Sequence, residues 1–466
     1  MPVDSVHPDF EKVADRRARL RATATGSDAV KSAGEAFLPS LSGMTAKEYD
    51  AYKQRAYFYG AVERTLQGIT GLVFRKSPIY TLPMPRLIEG SRLIEDVTLT
   101  GVPLDRFCQS VYREVLAMGF AGVYVSLPEM ASVQARAYLT LFQAEDVINW
   151  GLFWNGNSFQ LGRVVLREST YRESEDDPYK LESATLYRDM HLDESGLFRV
   201  TVWEEADKPT ASEDQWIVSE VIEPRFRGQR LPFIPFVPIS SQTTEFKLDQ
   251  MPLLPLADTN LDHYRLMADY RHGLHYVGLP TPYVTGFPEQ TELKIGSATA
   301  WVASDPAAKV GMLEFTGQGL DPLAAAIDTT VGYMASLGAR LLEPNKKAVE
   351  SAETHSIRQA REESTAATIA ESVSAGMSHA LTWMLNLSGI PGASQIDLNT
   401  DLVDAKLSPE ELRELVSGWQ AGAYSYDTLY YNLQRGELAR PQISAEEERD
   451  MVGMQSPSIL SLEGVE

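Results

Sequence analysis

The sequence predicts an α+β fold, and three features carry that prediction. Amphipathic segments with a period near 3.6 residues dominate the first third and the last half of the chain. Between about 155 and 240 the pattern changes to short apolar or alternating runs separated by polar connectors, as antiparallel strands require. The stretch VYREVLAMGFAGVYVSLP joins an amphipathic helix through a glycine to a continuous apolar strand, so helices and sheet share one packing unit.

Taken in order, residues 1–44 read as a charged N-terminal arm with a short helix over 8–21. Thr45-Ala46-Lys47-Glu48 is a capping box, in which a hydroxyl and a carboxylate satisfy free N–H groups reciprocally. It opens an aromatic helix that keeps Tyr49, Tyr52, Ala56, Tyr59, Val62, Leu66 and Ile69 near one face until Pro78. Residues 79–101 are irregular. A second helix follows, with Leu104, Phe107, Val111, Val115 and Met118 inward and Gly119 as its stop. FAGVYVSLP is then a buried strand, and strand-like runs continue through FQLGRVVLRES, ATLYRDMHL, LFRVTVWEE and QWIVSEVIE. LPFIPFVPIS carries three prolines and reads as a sheet edge or extended connector. A helix over 252–277 comes next, then short strands in PTPYVTG, TAWVAS and KVGMLEF. Asp321-Pro322 caps the helix PLAAAIDTTVGYMASLGARLL. Ser408-Pro409-Glu410-Glu411 and Ser444-Ala445-Glu446-Glu447 start the C-terminal helices, and the tail from Met451 reads as disordered.

The stretch from Leu337 to Gly389 is the most distinctive. Pro344 and Asn345 break the helix that precedes them and place Lys346 and Lys347 at a loop tip. From 351 to 388 small and apolar residues then recur at helical spacing, among them Ile357, Ala360, Ser364, Ala367, Ala370, Met377, Leu381 and Met384. One helix over that range would span roughly 57 Å at about 1.5 Å per residue. Gly376 is its weakest point.

Composition narrows the functional classes. The net charge of −22 opposes nonspecific wrapping of nucleic acid, which needs clustered Lys and Arg, but allows DNA to pass a repulsive surface with a few local cations. A single cysteine, Cys108, excludes an intramolecular disulfide framework and a multi-cysteine zinc site. No uninterrupted apolar run is long enough for a membrane-spanning helix, and the charged N-terminus lacks the apolar core of a secretory signal. His272 and His275 share a helix face near His263, Asp262 and Asp269, a weak echo of a metal site without the HExxH spacing. Glu173, Glu175, Asp176 and Asp177 read as a solvated hairpin tip. Gly317-Gln318-Gly319 lacks the rest of a phosphate loop. No catalytic constellation stands out, and the sequence is read as a non-enzyme with no catalytic, cofactor-binding or metal residues.

Four stretches, in this order, resemble the portal proteins of tailed bacteriophages, within a family long catalogued as a domain of unknown function. They are EYDAYKQRAYFYGAVERTLQGITGLVFRKSP, VYREVLAMGFAGVYVSLP, FIPFVPIS followed by LADTNLDHYRLMADYRHGLHYVGLPTPYVTG, and LEPNKKAVESAETHSIRQAREESTAATIA. Together they span about 45–390.

The resemblance implies a portal fold with an α/β wing, helical stem, β-containing clip, long channel-loop helix and small helical crown. The expected division is an N-terminal arm (1–44), wing (45–155), clip with adjoining wing strands (156–250), stem helix (251–278), second wing part (279–338), channel loop (339–351), long helix (352–390), crown (391–450) and tail (451–466). The stem helix that should precede the clip has no identifiable counterpart.

It further implies a ring, typically of twelve copies, at one capsid vertex of the virion, assembled in the bacterial cytoplasm. Such a ring admits double-stranded DNA without sequence specificity, and Arg340, Lys346 and Lys347 would touch it. Implied partners are the terminase large subunit, the major capsid protein, a head–tail adaptor and a scaffolding protein, with no cofactor and no membrane. Two alternatives stand beside this reading. Another virion structural or head–tail connector protein would lack the channel loop, and a metal-dependent hydrolase would bring His263, His272 or His275 together with carboxylates.

Overall fold

The computed structural model describes residues 3–89, 91–127, 136–174, 177, 179–206, 215–278, 281–286, 306–313, 317–341, 364–402, 409–435, 438–440 and 443–455. The chain divides into two compact units, Met1–Thr400 and Asp401–Glu466. In the first unit the order is α1 (Pro8–Thr25), α2 (Ser27–Ser32), α3 (Ala46–Arg55), α4 (Ala61–Val73), β1 (Ile79–Thr81), α5 (Pro85–Glu89), α6 (Leu104–Met118), β2 (Phe120–Ser126), β3 (Tyr138–Phe142), β4 (Val147–Trp154), β5 (Phe159–Glu173), β6 (Leu181–Leu192), β7 (Phe198–Glu205), β8 (Trp216–Ile222), β9 (Arg225–Phe226), β10 (Gln229–Arg230), β11 (Phe236–Ser240), α7 (Leu254–Gly278), β12 (Thr281–Thr285), β13 (Lys309–Leu313), α8 (Leu320–Arg340), α9 (Thr365–Leu387) and β14 (Gln395–Asp397). The α+β class holds.

The core centres on β2, which is buried along its whole length between the antiparallel strands β11 and β3. Its apolar run has no polar face because α6 and α9 pack on this sheet. Gly119 ends α6 in the left-handed region (φ 76°), where a side chain would also strike the carbonyl of Gln250 at 2.1 Å. Pro238 sits in β11, the edge strand, so its missing N–H costs no interior ladder bond. The block from 147 to 222 is a five-stranded antiparallel meander in sequential order, β4-β5-β6-β7-β8.

Several expectations change. The segment read as a charged N-terminal arm packs closely over its described residues, 3–44. Leu20 and Val30 of α1 and α2 are fully buried, and Arg21 clamps Glu114 of α6 and Glu145, at 2.5 and 2.6 Å. The aromatic helix is two helices, because Ala56 turns extended (ψ 132°) and the chain bends through 56–60. That bend lets Tyr52, Ala56 and Phe58 all pack against Leu261, Tyr264 and Ala268 of α7, which one straight helix face would not do. The long helix begins only at Thr365. Ser364 is extended (ψ 158°) and its Oγ accepts from Ala367 N at 3.3 Å, an N-cap at which α9 starts; 351–363 lie outside the described residues. Gly376 does not break α9. It is buried, and an added Cβ there would lie 2.6 Å from Ile239 of β11.

The second unit contains α10 (Pro409–Gln420), α11 (Tyr426–Arg435) and α12 (Ala445–Gln455). The capping box at α12 forms as read, with Glu447 N donating to Ser444 Oγ at 3.1 Å and Ser444 N to Glu447 Oε2 at 2.9 Å. Residues 451–455 belong to α12 rather than to a disordered tail, while 456–466 lie outside the described residues. Among the described residues no helix is long and apolar enough to cross a membrane.

Candidate functional site: a rooted, projecting helix pair

The first half of α7 is embedded and the second half emerges. Leu256, Ala257, Asn260, Leu261, His263, Tyr264 and Ala268 are buried, whereas no described residue from 269 to 278 is. Four polar contacts fix the embedded half and its margin at Asp269. Arg19 Nε donates to Asp258 (2.8 Å), Asn260 Nδ2 to Tyr59 O (2.6 Å), Arg265 Nε to Phe37 O (2.9 Å) and Tyr52 Oη to Asp269 (2.5 Å). Asn260 satisfies a carbonyl that the bend at 56–60 has freed from helix bonding.

The antiparallel pair β12 and β13 joins α7 to α8, which packs back along α7. A Cβ on Gly273 of α7 would meet Leu320 at 2.8 Å, so the start of α8 lies against the end of α7. The far end of α8 returns to the body, where Gly338 lies beside Thr65 of α4. Only Ile327, Thr330 and Met334 of α8 are buried, a single stripe at helical spacing. The rest of this helix carries few charges: Asp321, Asp328 and Arg340. Its outer surface instead exposes Val331, Gly332, Tyr333 and Ala335, with Tyr333 61% exposed. Leu274 and Tyr276 on α7 and Tyr283, Val310 and Met312 on the hairpin are exposed as well.

At the base of the pair, Leu341 is buried and its carbonyl accepts from Ala366 N at 3.1 Å. Ala366 O in turn accepts from Tyr112 Oη of α6 (3.1 Å). Leu341 and Ala366 are therefore held together at one hydrogen-bonded point on α6. Arg340 stands there, exposed at the C-terminal end of α8, where the helix dipole favours a cation. Lys346 and Lys347 lie outside the described residues.

His263 of α7 lies apart from His272 and His275, which share a neighbour in Tyr276. His263 is buried beside Tyr59, with its pKa pulled down by burial. His272 packs edge-on against Tyr52 and Tyr276, and its pKa is lowered by burial and then by Arg55. His275 Nε2 faces the Arg55 guanidinium at 3.2 Å. Among the described residues no three His, Cys, Asp or Glu side chains gather as a metal would need. Tyr264, which packs the embedded half of α7, has its hydroxyl pKa pushed up to about 12 by burial. A groove of about 880 Å³ runs between β2–β3 and the meander. Its charged groups are matched with each other, Arg188 to Glu168 (2.8 Å) and Arg167 to Asp146 (3.7 Å).

A family model described as a domain of unknown function, DUF4055, matches residues 252–387, the span from α7 through α9. No curated protein matches the chain. Among solved structures, the chain is similar to one from the neck of an empty gene transfer agent particle computed with C6 symmetry, with 11% identity, a TM-score of 0.36, and coverage of 89% of this chain and 95% of that one. It is also similar to one from the neck of the native particle computed with C12 symmetry, at 12% identity and a TM-score of 0.35, covering 85% and 95%. A third comes from the virion of the native gene transfer agent, at 12% identity and a TM-score of 0.37, covering 90% and 98%.

Proposed function

We propose that this chain is the subunit of a portal-type ring, the channel at one capsid vertex through which double-stranded DNA enters and leaves a virion. The observation that carries the reading is the rooted helix pair. An antiparallel α7 and α8, anchored at one end and capped by a hairpin at the other, expose an apolar outer surface that identical neighbours in a ring would cover. The sequence resemblance to phage portals supplies the functional class. In this reading α7 and α8 are the two stem helices and the hairpin between them, within 279–319, is the clip. That places the missing stem helix after the clip and moves the clip away from 156–250, whose meander becomes part of the wing.

The work of such a ring is mechanical. The terminase motor docks on it during packaging and hydrolyses ATP, and an adaptor binds after filling. The acidic chain repels the phosphates and keeps DNA mobile, while Arg340 at the end of α8, with Lys346 and Lys347 after it in sequence, touches the backbone in passing. Negative-stain micrographs of the purified chain test the ring: annular particles with a central hole are expected, and a monomer under all conditions would sink the reading. Lys346→Ala/Lys347→Ala tests the channel contact. Altered packaging or DNA retention with intact rings is expected, and normal packaging and retention would remove these lysines from the mechanism.

A further inference from the structure

The two outer strands of the meander have the composition of interior strands. Natural edge strands are blunted by Lys, Pro or inward charge, which prevents edge-to-edge pairing. β8 has neither Lys, Arg nor Pro, and carries exposed Ile217, Val218 and Val221, with Glu220 its one charge. Among the described residues its backbone pairs only with β7. At the opposite edge, β4 is covered near its start, where His7 N donates to Ile148 O (2.9 Å) and the His7 ring stacks on Trp150. Beyond that point Leu152, Phe153 and Trp154 are exposed, and Trp154 packs on the equally exposed Phe159 across the hairpin. From Gly151 to Gly162 there is no ionisable residue.

We infer that the outer half of β4 (Gly151–Trp154) in one copy pairs with β8 of the next copy, extending the meander from subunit to subunit. The inference rests on the ring reading above and supplies a contact that would close it. Three points select a second copy as the occupant. One sheet presents two different open edges, so a single head-to-tail contact uses both, and repeating it around an axis gives a ring. The edges match in charge: in a chain of net charge −22 a basic foreign strand would meet acidic residues, yet these edges are close to neutral. They also match in composition, because apolar side chains exposed at both edges become cross-strand neighbours once the sheet continues.

Cysteine crosslinking tests this on the full chain, since the only native thiol, Cys108, is buried. Leu152→Cys, Val218→Cys and the double variant are treated with a short bismaleimide and run on denaturing gels. All three change exposed side chains and leave the core intact. The double variant is expected to give a ladder of covalent oligomers, while each single variant stays monomeric. Adding Ile217→Lys to the double variant probes the edge itself: a lysine on exposed β8 beside the thiol should collapse the ladder, and a ladder of unchanged length would overturn the edge pairing. Dimers from Val218→Cys alone would overturn the head-to-tail arrangement in favour of β8 pairing with itself. Rings in micrographs without a ladder would overturn the edge pairing and leave the portal reading standing. A ladder from a chain that forms no closed ring would do the reverse.

Discussion

Replacing Gly376 by alanine sets two effects of opposite sign against each other. In a solvent-exposed helix, Gly→Ala stabilises by about 1 kcal/mol through backbone entropy. At Gly376 the new Cβ would sit 2.6 Å from both Cδ1 and Cγ1 of Ile239, a fully buried residue of β11 held in register with Ala121 of β2. Ser372 Oγ, one turn earlier on α9, donates to Ser240 O at 2.8 Å and prevents the helix from backing away. Overpacking of this kind costs about 1–3 kcal/mol. The net expectation is destabilisation by about 1 kcal/mol. For a unit of this size that corresponds to a fall in Tm of roughly 1 °C, so urea unfolding followed by tryptophan fluorescence is the better assay. Ile239→Val removes Cδ1 and frees the remaining branch to turn. The double variant should therefore be more stable than the sum of the single changes by about 1 kcal/mol. Stabilisation by Gly376→Ala alone, or strict additivity in the cycle, would refute the close approach of α9 to β11 as the reason for glycine.

Other perturbations test the root and the core. Arg21→Met leaves Glu114, almost fully buried, without its guanidinium, and should cost about 2–3 kcal/mol after allowing for the partial exposure of Arg21. Trypsin cleavage within 8–25 should accelerate in that variant, and an unchanged rate would count against the clamp. His263, His272 and His379 all have folded pKa values below the usual 6.5, chiefly through burial. Unfolded imidazoles take up protons near that value and the folded ones resist, so stability present above it is lost as pH falls through the folded values. Urea midpoints should drop between about pH 7.5 and pH 5, and His263→Gln should flatten the slope. For Asp146 burial raises the carboxyl pKa against the weaker pull of Arg167, so its charge costs stability as pH rises past 3.8. Asp146→Asn should be more stable than the parent at neutral pH, with the gain gone in acid; a loss of stability at neutral pH would show that the Arg167 pair dominates.

Local chemistry was legible in the sequence and long-range pairing was not. The capping boxes at Thr45 and Ser444, the Gly119 stop and the strands from 147 to 222 follow from residue type and period alone. Ser364 was misread because a serine fits the small-residue stripe of a helix as well as it fits a cap. The run Glu-Glu-Ser-Thr at 362–365 carried the capping signal. The bend at 56–60 was hidden because its aromatic residues keep a helical period, while its cause, the carbonyl partner Asn260, lies 201 residues away. The pairing of α7 with α8 was hidden for a related reason. The sparse charges on α8 mark a surface to be covered, but no local pattern names the partner. Of the proposed DNA contacts, the structure places Arg340 at the exposed end of α8, while Lys346 and Lys347 lie outside the described residues.

The root of the helix pair also governs when this protein can fold. Its anchoring contacts join residues far apart along the chain: Tyr52 to Asp269 across 217 positions, Phe37 to Arg265 across 228, and Arg19 to Asp258 across 239. Contacts this distant form late, because the loop between them must close first. At about 5–20 residues per second, a ribosome needs roughly 10–40 s to make the intervening stretch. Throughout that time Val30, Leu38, Tyr52 and Phe58 have emerged without the helix that buries them. The nascent chain thus carries an uncovered apolar surface for tens of seconds, a window in which chaperone supply sets the yield of folded subunits.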